Sequence, residues 1–149
     1  MSVGEICDRR VPAMPSATTV LAAVRSMVSF GDRLLVVTDE RAGRRIGVGV
    51  VTEQERLGVM AEGEDPSRLT VKDIMCPCPA FVTEGDDILD TLCWMHRHHL
   101  RDVIVHGKEG TLLGTVSLDQ LADSVATELS DVVAAASDTD HAQICSALH

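Results

Sequence analysis

The chain of 149 residues repeats itself, and this duplication constrains its fold more than any other feature. Residues 3–37 align with residues 71–105 at an offset of 68 positions. The matching pairs are Val3 and Val71, Ile6 and Ile74, Leu21 and Leu89, Met27 and Met95, Arg33 and Arg101, and Val37 and Val105. The first hairpin loop is longer, so beyond it the offset falls to 65. There Gly49, Val51 and Thr52 align with Gly114, Val116 and Ser117. The register predicts two copies of one structural unit.

Each copy carries the same order of local patterns. In the second copy, a capped helix start at residues 84–87 precedes apolar residues at helical spacing (Ile88, Leu89, Leu92 and Met95). A β-like run, a glycine-rich turn and a hairpin partner follow at residues 103–105, 107–110 and 112–117. A second helix begins near Leu118 and is predicted to reach Ala136, with an apolar stripe through Leu121, Val125, Leu129 and Val132. The predicted order is strand, helix, strand, strand, helix.

The first copy follows this order, with different residues at the start and end of its helix and within its last strand. Its opening helix is predicted to begin at Ser16, with Thr18 and Thr19 as alternative N-caps, and to end at Gly31. Two glycines in its last strand, Gly47 and Gly49, predict a bulge or the close approach of another group.

The duplicated pattern resembles a tandem pair of cystathionine-β-synthase (CBS) domains, the Bateman module. The residues that carry this resemblance are Val71-Lys72-Asp73-Ile74-Met75, the helix ending in Met95, His99-Leu100-Arg101-Asp102-Val103, and Gly114-Thr115-Val116-Ser117. The resemblance covers roughly residues 3 to 130. It implies a mixed α/β fold of two β-α-β-β-α repeats related by a pseudo-twofold axis. We therefore expect a first repeat at 1–61, a linker at 62–70, a second repeat at 71–130 and a C-terminal helix end and tail at 131–149.

Composition excludes several classes of function. A net charge of −10 argues against nucleic-acid binding, and Phe30, Phe81 and Trp94 are too few to stack on single strands. No apolar run reaches the ~20 residues of a membrane span. The odd number of cysteines, without a secretory signal, indicates reduced thiols and a cytoplasmic location.

The resemblance places a ligand cleft between the repeats and directs attention to one motif. In the family this motif is a glycine, two apolar residues, Thr or Ser, two variable residues and Asp. The first copy reads Gly49-Val50-Val51-Thr52-Glu53-Gln54-Glu55, with an acid one methylene longer than Asp. The second reads Gly114-Thr115-Val116-Ser117-Leu118-Asp119-Gln120, with Gln120 in the place of the acid. A hydroxyl at a helix N-terminus can bind phosphate, and the acid can bind ribose hydroxyls. The alternative is that Thr52 and Ser117 are plain helix N-caps.

A phosphate also requires a cation near the motif. Arg101 is the preferred candidate, because the resemblance places its segment beside the cleft, and Arg9, Arg10, His98 and His99 are the others. His96, His98, His99 and His106, with Cys76 and Cys78 as possible partners, suggest a metal site. The spacing of His96, His98 and His99 does not put them on one helix face, so this interpretation is not favoured. Nothing in the chain predicts a nucleophile and its base, so catalysis is not expected.

We therefore expect a stand-alone, non-catalytic sensor that binds an adenine nucleotide or related adenosyl metabolite at Thr52, Glu55, Ser117, Gln120 and Arg101. The candidate ligands are AMP, ATP, NADH and S-adenosylmethionine. The alternative is a ligand-free interaction or oligomerisation module, and a metal or redox sensor is a third, weaker interpretation. We also expect a homodimer formed by helices, because Trp94 lies off its helix's apolar stripe. A protein partner acting in trans would carry the output.

Overall fold

The computed structural model describes residues 1–77 and 82–137. Its elements in chain order are α1 (Val3–Ile6), β1 (Ala13–Pro15), α2 (Val20–Phe30), β2 (Leu34–Arg41), β3 (Arg44–Thr52), α3 (Glu53–Glu62), α4 (Val71–Ile74), β4 (Cys76–Pro77), β5 (Val82–Thr83), α5 (Ile88–Arg97), β6 (Asp102–His106), β7 (Leu112–Ser117) and α6 (Leu118–Ser137). Cys78 and the predicted tail beyond 137 lie outside the described residues.

The strands form two small sheets that repeat one arrangement. In the first sheet, of order β1-β2-β3-β4, β1 is parallel to β2 and β2 forms a hairpin with β3. In the second, of order β5-β6-β7, β5 is parallel to β6 and β6 forms a hairpin with β7. Each hairpin has a register shift, between Val37 and Thr38 in β2 and between Val105 and His106 in β6. The predicted mixed fold is confirmed, as is the predicted irregularity at the glycines of β3.

The two short helices α1 and α4 are exchanged between the halves of the molecule. Val3 of α1 is fully buried in the core of the second sheet, against residues such as Ile88 and Met95. Val71 of α4 is fully buried in the core of the first sheet, against Met27 and neighbouring side chains. Each half therefore completes its apolar core with a residue from the segment that opens the other half.

The chain that follows each of these helices also pairs with the opposite sheet. Asp8, after α1, forms an antiparallel bridge with Thr115 in β7, and Cys76, after α4, pairs with Val50 in β3. These two contacts correspond to one another at the sequence offsets of 68 and 65. The reciprocal exchange is what a pseudo-twofold relation between the copies requires.

A third contact joins the sheets directly. Gly47 of β3 lies against Ile104 of β6, and a Cβ atom built on Gly47 would come within 2.9 Å of two of the Ile104 side-chain carbons. The Gly47 N–H donates a hydrogen bond of 3.2 Å to Nε2 of His106, which is only 4% exposed. The absence of a side chain at position 47 permits this close approach.

The structure corrects the predicted start of the first long helix. The N-cap of α2 is Thr19, whose hydroxyl oxygen accepts a hydrogen bond from the Ala22 N–H, whereas Ser16 donates its hydroxyl to the Asp39 carboxylate. The predicted end at Gly31 is confirmed, because Gly31 has a left-handed backbone with φ of 68°.

Trp94 does not occupy the position that the sequence predicted. It is partly buried and packs against the core of the second sheet, with its ring centroid 5.5 Å from that of His98. Only the first part of the α6 stripe is covered, since Leu121 is buried while Leu129 and Val132 are exposed. No helix of the described part of the chain is long and apolar enough to cross a membrane.

We predict that Gly114→Ala lowers the free energy of unfolding by about 1–3 kcal/mol, because a Cβ atom there would lie 2.2 Å from the Asp8 carbonyl oxygen. The control is Gly58→Ala, in the exposed interior of α3, where a Cβ atom meets nothing within 4 Å. That variant should gain up to about 1 kcal/mol. Urea denaturation measures both. A Gly114→Ala protein as stable as the parent would mean that the Asp8 segment does not approach β7 in solution.

Candidate functional site

The two motif copies lie at equivalent strand-to-helix junctions. Thr52 is the last residue of β3 and the N-cap of α3, and Ser117 is the last residue of β7, immediately before α6. A hydroxyl at such a junction satisfies backbone N–H groups that the helix leaves without a partner, which explains why the chain turns from strand to helix here. The residue three positions later, Glu55 or Gln120, completes each junction.

In the first junction, Glu55 is engaged by Thr52. The Thr52 N–H donates a hydrogen bond of 2.7 Å to Glu55 Oε2, and the Thr52 hydroxyl donates to the same oxygen. Both bonds run from Thr52 to Glu55, and the two residues occupy the positions of a capping box. The hydroxyl hydrogen of Thr52 is therefore committed to the carboxylate. The described residues supply no donor to the other carboxylate oxygen of Glu55.

In the second junction, Ser117 and Gln120 exchange hydrogen bonds in a different pattern. The Ser117 N–H donates to Gln120 Oε1 at 2.8 Å, and the Gln120 N–H donates to Ser117 Oγ at 3.1 Å. The serine hydroxyl is an acceptor in this pair, so its own hydrogen remains available to a ligand. The two junctions share a backbone geometry but offer different chemistry: a carboxylate oxygen in the first and neutral donors in the second.

Both junctions lie where the two halves of the molecule meet. A Cβ atom on Gly49, three residues before Thr52, would lie 2.5 Å from Met75 Sδ and 2.9 Å from the Cys76 carbonyl oxygen. A Cβ atom on Gly114, three residues before Ser117, would collide with the Asp8 backbone. The glycine that opens each motif is thus required by the chain from the opposite repeat. Any molecule bound at Thr52 or Ser117 would lie close to both repeats.

Arg101, the predicted cation, lies beside the second junction. Its carbonyl oxygen accepts a hydrogen bond of 2.8 Å from the N–H of Leu118, the first residue of α6, and its neighbour Asp102 pairs with Ser117 across the hairpin. The structure therefore brings Arg101, Ser117 and Gln120 to one place. Thr52 and Glu55 form the separate first junction.

Asp102 is a polar residue of this region that the motif analysis did not single out. Burial raises the pKa of its carboxyl group, and the negative charge of Asp119 raises it further, while Arg101 and Arg33 lower it. Arg33 precedes β2 in the first half, so a charge from each half acts on this carboxyl group. The alignment of Arg33 with Arg101 was the one sequence signal that pointed to this arrangement.

Of the other predicted cations, Arg9 has a side-chain hydrogen bond, in which its guanidinium donates to the Gly4 carbonyl oxygen at 3.0 Å. At Arg10, the backbone N–H donates to the Asp8 carboxylate at 2.9 Å. His98 is the C-cap of α5 and contacts Trp94, and His99 follows with a left-handed φ of 56°. Within residues 1–77 and 82–137, no three His, Cys, Asp or Glu side chains are grouped to hold a metal ion.

We predict that Asp102→Asn raises the free energy of unfolding at neutral pH. A carboxyl group whose folded pKa lies above its ordinary value near 3.8 holds its proton more tightly in the folded chain. The parent should therefore lose stability relative to the variant as pH rises from about 3.8 through the raised pKa, and keep that deficit at neutral pH. Denaturation across pH 3.5–8 measures this. Asp123→Asn on α6 is the control and should run parallel to the parent. An Asp102→Asn protein less stable than the parent at pH 7 would contradict the expectation.

The chain is similar to known proteins by sequence in one segment and by fold over most of its length. The family model described as CBS domain matches residues 71–127. A CBS domain protein from Pyrobaculum aerophilum, solved in complex with AMP, has a TM-score of 0.72 at 24% identity, over 88% of this chain and 99% of that one. No curated protein sequence matches the chain.

Two further structures have the same fold. A CBS domain pair in complex with 5′-methylthioadenosine and S-adenosyl-L-methionine has a TM-score of 0.69 at 16% identity, over 86% of this chain and 98% of that one. A hexameric CBS-CP12 protein from bloom-forming cyanobacteria has a TM-score of 0.69 at 22% identity, over 92% and 83%. Residues 71–127 thus match the CBS domain family model, and the chain has the fold of a tandem CBS-domain pair.

Proposed function

We propose that this protein is a non-catalytic regulatory module that binds an adenine nucleotide or related adenosyl metabolite between its two CBS repeats. The observation that carries the proposal is the placement of both motif copies, Thr52 with Glu55 and Ser117 with Gln120, at the boundary between the repeats. A ligand there would contact both halves and stabilise their association. A sensor requires a ligand that binds one conformational state more tightly than another, and such contacts would provide that difference. The AMP-bound and S-adenosyl-L-methionine-bound relatives support the ligand class.

Of the two junctions, we propose that the one formed by Thr52 and Glu55 binds the ribose. Only one Glu55 oxygen is used by Thr52 among the described residues, so the other can accept from ribose hydroxyls. Hydrogen bonds to a carboxylate are about twice as strong as those between neutral groups. Gln120 already uses its single acceptor oxygen on the Ser117 N–H.

The same geometry favours a ligand with little negative charge. The Thr52 hydroxyl donates to Glu55, so it offers no hydrogen to a phosphate while that bond persists. Glu53 adds a second carboxylate in the first turn of α3. Among AMP, ATP, NADH and S-adenosylmethionine, we therefore expect S-adenosylmethionine, or adenosine itself, to bind this junction more tightly than ATP.

The decisive experiment titrates Glu55→Gln, Glu55→Ala and Gln120→Ala with adenosine, AMP, ATP, NADH and S-adenosylmethionine, by calorimetry and thermal shift. In the parent, a ligand at 100 times its Kd should add about 2.7 kcal/mol of stability. Loss of the Glu55 contacts should weaken binding by roughly 1.5–3 kcal/mol. The change at Gln120 should have a smaller effect.

Glu55→Gln is the matched control for capping. Gln120 shows that a glutamine in this position can accept from the capping residue's N–H, so Glu55→Gln should keep the helix start while losing the carboxylate. Unchanged affinity in both Glu55 variants, beside a large loss in Gln120→Ala, would assign the ligand to the second cleft. No binding by the parent would favour the alternative, a ligand-free interaction or oligomerisation module whose motif residues serve only as helix caps.

We further propose that the chain forms a homodimer through its helices. Helices α2 and α3 border a cavity of about 320 Å³ lined mainly by apolar side chains, of which Val28, Leu57 and Met60 are exposed. On the second repeat, Leu129, Val132 and Val133 leave the end of α6 uncovered. Exposed apolar groups clustered on helices in this way are typical of interaction surfaces. Trp94 no longer supports the dimer, since it packs on its own core.

Light scattering should report a dimer at micromolar concentration. Leu57→Glu and Val132→Glu test the two helix surfaces separately, because a buried, unpaired carboxylate would oppose association there. Glu109→Lys, in the exposed turn between β6 and β7, is the control and should leave the assembly unchanged. A parent protein that is monomeric at high micromolar concentration would contradict the dimer. In that case, a protein partner in trans would become the proposed occupant of these surfaces.

Two further expectations stand as proposals. Cys7, Cys76 and Cys93 are free thiols, which suits the reducing cytoplasm. The division into repeats at 1–61 and 71–130, with a linker at 62–70 and a terminal segment at 131–149, remains our proposed domain organisation.

A further inference from the structure

His106 joins the two sheets through a hydrogen bond that depends on its protonation state. The imidazole closes β6 in the second sheet, and its Nε2 accepts the N–H of Gly47, a β3 residue in the first sheet, at 3.2 Å. A ring nitrogen can accept only while it carries no proton. The contact therefore requires a neutral imidazole whose Nε2 presents its lone pair to Gly47.

Protonation at this position would be costly for two reasons. An N–H on Nε2 would point at the Gly47 N–H, so two donors would face each other with no acceptor between them. The side chain is also 96% shielded, with 4% of its surface exposed, and a buried charge loses its hydration. Burial accordingly lowers the pKa of His106 below its ordinary value near 6.5.

The elements around His106 bring few charges toward it. His106 pairs with Thr83 of β5 and Leu112 of β7, and neither strand carries a charged side chain. On β3, Arg44 and Arg45 are exposed. Glu84 follows β5, and its carboxylate accepts a hydrogen bond from the Lys108 N–H at 3.2 Å.

We propose that the His106–Gly47 contact is a proton-sensitive link between the two repeats, which adds to the other contacts between the sheets at neutral pH and is lost when the imidazole takes up a proton. The link lies five residues along β3 from Thr52, about 17 Å at the rise of a strand, so it is separate from the proposed ligand site. Acidification would loosen the boundary between repeats without any change in ligand concentration.

The test compares the parent with His106→Gln across pH 4.5–8, by urea denaturation. Glutamine can offer an acceptor oxygen to Gly47 but does not titrate. Between about pH 6.5 and the lowered pKa, the His106 side chain is protonated in the unfolded chain and neutral in the folded chain. As pH falls through this range, the unfolding equilibrium constant of the parent should therefore rise by up to tenfold per pH unit relative to the variant. Equal pH dependence in the two proteins would overturn the proposal. His96→Gln, on the exposed side of α5, is the control and should follow the parent.

A second measurement covers the case in which His106→Gln fails to fold. In the isotope-labelled parent, nuclear magnetic resonance follows the His106 ring nitrogens and the Gly47 amide through the titration. We expect an unprotonated Nε2 at pH 7, a midpoint below 6.5 and a Gly47 amide shift with the same midpoint. A midpoint at or above 6.5, or a Gly47 amide that does not respond, would also overturn the proposal.

Discussion

The burial of Val3 and Val71 in each other's halves is the constraint on which the rest of the structure depends. The core of each half includes a valine from the segment that opens the other copy. The paired strands that follow, at Asp8 and Cys76, run so close to β7 and β3 that only glycine fits at positions 114 and 49. The ligand motif begins with glycine for this packing reason, before any ligand is considered.

The duplicated architecture could be predicted from the sequence because it rests on local patterns that occur twice. Apolar residues at helical spacing, hairpin turns and glycine positions were all readable, and the register between copies confirmed them. The exchange of α1 and α4 could not be predicted, because the sequence does not show which of the two cores a buried valine packs into. The choice of Thr19 over Ser16 as N-cap depended on Asp39, a residue 23 positions away that takes the Ser16 hydroxyl. The orientation of Trp94 was predicted wrongly, because the spacing of apolar residues along a helix does not show how far a large ring can extend toward its own core.

The candidate site was only partly predictable. The resemblance to the CBS family indicated Thr52, Glu55, Ser117 and Gln120, but not the direction of their hydrogen bonds. The Thr52 hydroxyl donates to a carboxylate in the first junction, whereas the Ser117 hydroxyl accepts in the second. Asp102 and His106 lie outside the motif, so the motif did not identify them. Burial at the boundary between the repeats is what shifts their pKa values. The two junctions are equivalent in position, but the first presents a carboxylate and the second an amide and a hydroxyl.

The exchanged segments also set the order in which this chain can reach its native state. Thr115, the bridging partner of Asp8, is synthesised 107 residues after it. At 5–20 residues per second, roughly 5 to 20 seconds separate the two. Throughout that interval the apolar face of α1 has no core to enter. Neither repeat can complete its packing during synthesis before the other has begun to form, so we expect the pair to fold as one cooperative unit.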